Sequence, residues 1–297
     1  MQENNDILTS EKELDLIDGK KNATNMELQT ENESVCEPDY TEDLNKFIML
    51  AKLMSINVSE VKDKCILEQI KFLTSRMAKV IVKYNVTDKE LEKILSNSSV
   101  LGVNELFLSP AYIPAVVRQQ RKNNCSNVDV SCVIDFPFGE SLFKSKLSTI
   151  KDSVKLGVRK ITVTMPSMLL EPKKIRQFKC QVKKLGKIKK VNTSICVSPL
   201  EISNEQLLTV LRTVEKTKIQ SVVCSFGDVK FEELKDKLAF IQKNRGKKEI
   251  RVLFNASTPL EIFQAFDYSV DQVLTPFATE IGEKMVEEFE IKNVKIK

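Results

Sequence analysis

Apolar positions along the chain follow two rhythms. Between Glu42 and about Ser75 they recur every three to four residues, at Leu44, Phe47, Ile48 and Ala51 and then at Val61, Cys65, Ile66, Ile70 and Leu73. That spacing places them on one face of a helix and predicts amphipathic helices. Beyond it, short β-branched runs alternate with longer helical stretches. The runs fall at 78–82, 103–109, 128–135, 159–165, 190–197, 219–225, 250–255 and 271–275, which makes eight predicted strands. Helix starts are marked by Thr87-Asp88-Lys89-Glu90 and Ser203-Asn204-Glu205-Gln206, where an acid or amide stands at the capping-box position. Gly102, Gly157 and Gly186 follow helical stretches where a left-handed cap residue is expected. Strands alternating with helices predict a parallel sheet with crossover helices, and eight such pairs suit a closed (β/α)8 TIM barrel.

The length of 297 residues and 42% hydrophobic content support one sizeable core, and a barrel of this kind takes about 250 residues. The remainder sits at the N-terminus. Residues 1–43 hold 13 Asp and Glu against 3 Lys. With few aromatics, such a segment buries too little apolar surface to offset the entropy of ordering, so a disordered acidic tail is expected. The predicted organisation is therefore a tail over 1–43, N-terminal helices over 44–76 and a barrel over 77–297. The tail carries −10 of a total of +5, which leaves +15 on residues 44–297. The acidic segment could shield that basic body.

No run reaches the 18 or so apolar residues of a membrane span, and Met1-Gln2-Glu3-Asn4-Asn5-Asp6 reads as neither a signal peptide nor a transit peptide. A cytoplasmic protein without a membrane partner is expected. Seven cysteines form no CxxC pair, consistent with reduced thiols, and Cys224 among valines reads as core packing. The chain has no histidine. That removes the commonest metal ligand and excludes Ser-His and Cys-His nucleophile systems. No metal and no cofactor are expected.

Three segments carry a resemblance. Leu106-Phe107-Leu108-Ser109-Pro110-Ala111-Tyr112-Ile113-Pro114 is similar to the second strand of deoxyribose-phosphate aldolases. Val133-Ile134-Asp135-Phe136-Pro137-Phe138-Gly139-Glu140 resembles their third strand, and Ala78-Lys79-Val80-Ile81 leading to Thr87-Asp88-Lys89-Glu90-Leu91 resembles their first strand and helix. Order and spacing agree over residues 77–280. The resemblance implies a class I aldolase barrel in which a lysine on the sixth strand forms a Schiff base with an aldehyde. Here Val222-Val223-Cys224-Ser225-Phe226-Gly227 places Val223 at that position. A carbinolamine needs an amine, so valine cannot substitute. The family's second lysine, on the seventh strand, aligns with Val252, and its fourth-strand aspartate with Thr162, which can hydrogen-bond a water but cannot act as a carboxylate base. The first-strand aspartate has no match in Val82-Lys83-Tyr84-Asn85.

The family binds phosphate with glycine-rich turns after strands seven and eight. The matching turns, Phe254-Asn255-Ala256-Ser257-Thr258 and Thr275-Pro276-Phe277-Ala278-Thr279-Glu280, contain no glycine. Pro276 removes a donor and Glu280 adds negative charge. Ser225, Gly227, Asn255, Ser257, Thr258 and Thr275 are the remaining ligand-binding candidates, for a sugar phosphate held weakly. A separate feature is the basic stretch with Lys173, Lys174, Arg176, Lys179, Lys183, Lys184 and Lys187, continuing to Lys189 and Lys190 without an acid. On a helix, Ile175, Phe178, Val182 and Leu185 face the core while the cations face solvent.

The leading expectation is a deoxyribose-phosphate-aldolase-like pseudoenzyme that binds or scaffolds an unidentified protein or acidic partner. One alternative is an active lyase of deoxyribonucleotide catabolism, cleaving 2-deoxyribose 5-phosphate to glyceraldehyde 3-phosphate and acetaldehyde with a displaced lysine such as Lys218 or Lys230. Another is a binder of phosphate polymers or acidic proteins through the basic helix. Nucleic acid is not the expected partner, because no aromatics alternate with the cations on the polar face.

Overall fold

The computed structural model describes residues 70–82, 85–123, 125 and 127–296. The acidic segment 1–43 and the helices expected over 44–69 lie outside the described residues; residues 70–75 are helical. From there the chain runs β1 (Met77–Ile81), α1 (Asp88–Leu101), β2 (Glu105–Leu108), α2 (Ile113–Asn123), β3 (Asp129–Ile134), α3 (Phe143–Lys155), β4 (Lys160–Thr164) and α4 (Ile175–Leu185). It continues through β5 (Asn192–Val197), α5 (Asn204–Glu215), β6 (Ser221–Gly227), α6 (Phe231–Asn244), β7 (Glu249–Phe254), α7 (Pro259–Asp267), β8 (Gln272–Thr275) and α8 (Ala278–Ile296). All neighbouring strands pair in parallel, and β1 pairs with both β2 and β8, so the eight expected strands close into a (β/α)8 barrel.

The predicted helix starts form as capping boxes. Thr87 accepts from the Glu90 amide while its own amide donates to the Glu90 carboxylate, and Ser203 and Gln206 repeat the exchange. Two amides otherwise left without partners are satisfied each time, which fixes where α1 and α5 begin. Gly102 and Gly157 adopt positive φ, 79° and 100°. Gly186 does not: its φ is −64°. There α4 runs on into tight turns, and glycine supplies room instead, since a Cβ would lie 3.1 Å from the Lys218 amide nitrogen.

Strand alternation separates two layers. One face of each strand packs outward under the helices, with Ile161 and Val163 of β4 and Val222 and Cys224 of β6 buried against residues such as Phe178, Val182 and Leu185 of α4. Burying a side chain of this kind contributes about 1.5–3 kcal/mol, so the apolar stripe of α4 outweighs the weak helix-forming gain from its cation-rich face. The other face fills the barrel with a second cluster made of Ala78, Val80, Phe107, Val133, Cys196, Val223, Leu253 and Leu274, against which Val82 and Phe136 pack. The polar inward residues, among them Glu105, Ser131, Lys160, Ser221 and Arg251, lie towards the N-terminal strand ends. The barrel interior is thus polar at its N-terminal end and apolar across its middle.

Candidate active site

Barrels of this architecture carry their chemistry at the C-terminal strand ends. Val223 faces the interior from the middle of β6, one inward position below Ser225, and is fully buried among Phe107, Cys196 and Leu253. Val252 does not join it. It packs in the outer layer under the helices, and the inward residue of β7 in this layer is its neighbour Leu253. A one-residue shift of register turns a side chain to the opposite face of a strand, so Leu253 is the residue that shares the interior with Val223. Thr162 is inward and buried, and its hydroxyl makes no hydrogen bond to the protein. Cys224 faces outward, and burial pushes its thiol well above the usual range, as a packing residue requires.

Among the described residues no lysine belongs to the apolar interior layer. Lys218 is exposed ahead of β6, at the opposite end of the barrel, and Lys230 is exposed at the start of α6. Two of the described lysines on this side are buried, Lys79 of β1, paired with Glu280, and one that the sequence pattern did not single out, Lys146 of α3. Its ammonium donates to the carbonyls of Gly139 at 2.6 Å and Thr164 at 2.7 Å and lies 3.0 Å from the Asp135 carboxylate. Three partners use the three N–H bonds of an ammonium. Burial lowers the Lys146 pKa, opposed by Asp135. Asp135 has a positive φ of 64°, and its carboxylate also accepts from the Ser141 amide at 2.8 Å and the Ser141 hydroxyl at 2.7 Å. The group ties the Phe136-Pro137-Phe138-Gly139 turn to the end of β4. Gly139 is required there, with φ 73° and only 2.7 Å between a Cβ and the Thr164 carbonyl oxygen.

The two turns that match the family's phosphate-binding turns, where weak phosphate affinity at most is expected, are occupied by the chain's own carboxylates. At the start of α7, Glu261 Oε2 accepts from the amides of Ser257 (2.8 Å) and Thr258 (3.1 Å) and from the hydroxyls of Thr258 (3.1 Å) and Ser257 (3.4 Å). At the start of α8, the Glu280 carboxylate accepts from the Thr279 hydroxyl at 2.9 Å and pairs with Lys79 at 2.6 Å. Burial alone would raise the Glu280 pKa, but Lys79 and the neighbouring donors hold it below the ordinary value. A helix N-terminus favours an anion whether it comes from a ligand or a side chain. The capping spacing Thr258-x-x-Glu261 was the available signal for the first of these. The other candidates are also engaged or spread apart: Thr275 donates to the Ala256 carbonyl at 2.7 Å, and the Asn255 amide to Asp228 at 2.9 Å. Ser225 is buried inside the mouth, whereas Gly227 is exposed at a register shift between β6 and β7.

The basic stretch forms α4 and its flanks, with Lys173, Arg176, Lys179, Lys183, Lys184 and Lys187 exposed and Lys174 half-buried beside Glu171. No group of three or more Cys, Asp or Glu among the described residues could hold a metal ion, and no described helix is long and apolar enough to cross a membrane.

No protein-family model matches the chain. It is 25% identical over 176 residues to a deoxyribose-phosphate aldolase of Mycoplasmoides gallisepticum, covering 59% of this chain and 72% of that protein. A second, from Dictyoglomus turgidum, is 23% identical over 129 residues, covering 42% of this chain and 58% of that one. The tetrameric deoxyribose phosphate aldolase of Aeropyrum pernix superposes with a TM-score of 0.61 at 16% identity, covering 75% of this chain and 97% of that one.

Proposed function

From a barrel that resembles deoxyribose-phosphate aldolases in sequence and fold, we propose a non-catalytic protein with a binding or scaffolding role. The observation that carries this is the apolar interior at Val223, where Phe107, Cys196 and Leu253 surround the position from which the family's amine would act. Schiff-base chemistry needs a neutral amine that an aldehyde can approach. Lys146 is buried with three partners, and Lys218 and Lys230 are exposed outside the mouth. The helix N-termini that would face a phosphate already hold Glu261 and Glu280, so a sugar phosphate would compete with two resident carboxylates. Incubation with 2-deoxyribose 5-phosphate and sodium borohydride, followed by intact-mass measurement, is expected to leave the mass unchanged. A stoichiometric adduct would instead make the protein an aldehyde-lyase of the aldolase type.

A second reading is favoured by α4, whose exposed cations run from Lys173 to Lys190 without an intervening acid. In this reading the helix binds an acidic protein or a phosphate polymer. Its signature is affinity for polyphosphate that falls steeply with added salt; affinity that is undetectable at low salt, or insensitive to salt, removes it.

A further inference from the structure

The N-terminal end of the barrel holds a cavity of about 260 Å³. Its interior end is blind, because the apolar layer of Phe107, Val133, Val223 and Leu253 fills the barrel beyond it. Three buried polar groups among the lining residues make no hydrogen bond within the protein: the hydroxyls of Ser131 and Thr162 and the Arg251 Nε. These residues are 0%, 1% and 5% exposed. A buried donor or acceptor without a partner is destabilising, and three in one cavity call for an occupant that supplies hydrogen bonds.

The charge balance narrows the chemistry. Arg251 pairs with Glu105 across the barrel, and Lys160 bridges Glu105 at 3.1 Å and Asp129 at 2.8 Å. Asp271 pairs with Arg245 at 2.9 Å. Burial would raise the Glu105 pKa, but Arg251 and Lys160 pull it below the ordinary value, so this carboxylate is compensated within the cavity wall. An incoming anion would meet Glu105, Glu249 and Asp271, and an incoming cation Arg251, Lys160 and Arg76. Neither finds an excess of opposite charge. Apart from Ile161, the rest of the wall is hydroxyl and amide, from Ser75, Ser194, Ser221, Asn192, Gln220 and Gln272. Such groups both donate and accept, as do the hydroxyls of a polyol.

We propose that the N-terminal mouth of this barrel binds a small uncharged polyhydroxylated molecule, a free sugar or polyol. At ~30 Å³ per water the cavity equals roughly eight or nine waters, room for a compact ligand of pentose size. The site opens at the opposite end from the aldolase-like mouth; it shares Thr162 with the positions matched to the family but needs no amine, so the borohydride result leaves it untouched.

The test uses the full chain with D-xylose as probe, inorganic phosphate and putrescine as charged comparators, and ligand-observed NMR alongside thermal melting. D-Xylose is expected to bind saturably and raise the melting temperature, and the comparators are expected to do neither. Thr162→Val removes one unpartnered hydroxyl without changing side-chain shape and should weaken D-xylose about tenfold, the equivalent of one lost hydrogen bond. Gln220→Trp, at the exposed rim, should block entry with the unliganded melting temperature unchanged. The proposal is overturned if D-xylose does not bind, if phosphate or putrescine binds as tightly, or if both variants, folded, bind D-xylose like the parent chain.

Discussion

Lys146 on α3 and Asp135 at the end of β3 form a buried ion pair with 3.0 Å between nitrogen and oxygen, and the two other donors of the ammonium hold the carbonyls of Gly139 in the β3–α3 turn and of Thr164 at the end of β4. A lysine beneath the mouth of an aldolase-like barrel is here a structural tie. Replacing it by methionine removes the charge, keeps the aliphatic bulk and leaves Asp135 with only Ser141. We expect Lys146→Met to cost roughly 3 kcal/mol. Urea unfolding measures it, and a loss under about 0.5 kcal/mol would show that the tie contributes little.

Acid should weaken the fold for a reason that can be located. The carboxyls of Asp135, Glu105 and Glu280 are opposed by burial but held below their ordinary pKa values by Lys146 and Ser141, by Arg251 and Lys160, and by Lys79 respectively. A depressed folded-state pKa means that the unfolded chain binds more protons, so stability rises with pH across the window between the two values. The contribution is full above the unfolded carboxyl values near 4 and disappears as pH falls through the folded ones. Melting curves from neutral pH downward should therefore be flat until about pH 5 and then drop; stability that increases below that point would contradict the assignment.

A lysine placed at Val223, the position the resemblance matches to the family's Schiff-base lysine, should destabilise the barrel. Val223→Lys puts an amine among Phe107, Cys196 and Leu253, where burial favours its neutral form. Deprotonating an ordinary lysine at pH 7 costs about 4–5 kcal/mol, so a loss of that order is expected in thermal or urea unfolding. A variant that melts like the parent would mean the interior admits water or a counter-charge.

Glu261→Ala removes the carboxylate that occupies the N-terminus of α7 and exposes the amides of Ser257 and Thr258. A lost cap costs about 1 kcal/mol. The freed donors become available to an external anion, so inorganic phosphate should raise the melting temperature of this variant and leave the parent unchanged. Equal responses in the two proteins would place phosphate elsewhere.

Gly139→Ala meets two obstacles at once, a φ of 73° and a Cβ 2.7 Å from the Thr164 carbonyl oxygen. The backbone on both sides is fixed by the Lys146 tie, so the strain cannot relax cheaply. A destabilisation of about 2–3 kcal/mol is expected. Alanine at Gly157, where nothing lies within 4 Å, isolates the φ contribution and should cost less.

The order of eight strands and eight helices was legible from the sequence because it follows local rules. Two-residue alternation, three-to-four-residue stripes and the capping residues at Thr87 and Ser203 act within a few positions of one another. That a valine, Val223, and a threonine, Thr162, stand where the resemblance matches a lysine and an aspartate was also readable, since these are identities in the sequence. What only the tertiary structure decided is which way each side chain faces and what stands across from it. Val252 and Leu253 are adjacent in sequence, yet a strand turns consecutive residues to opposite faces, so one packs under the helices and the other beside Val223. Gly186 follows a helix as a left-handed cap would, but the approach of Lys218 from the next unit sets its role. Glu105 and Arg251 are separated by 146 positions, and only barrel closure brings them together. The same closure places polar residues at the N-terminal end of the interior and apolar ones across its middle, because each layer collects side chains from strands far apart in the chain.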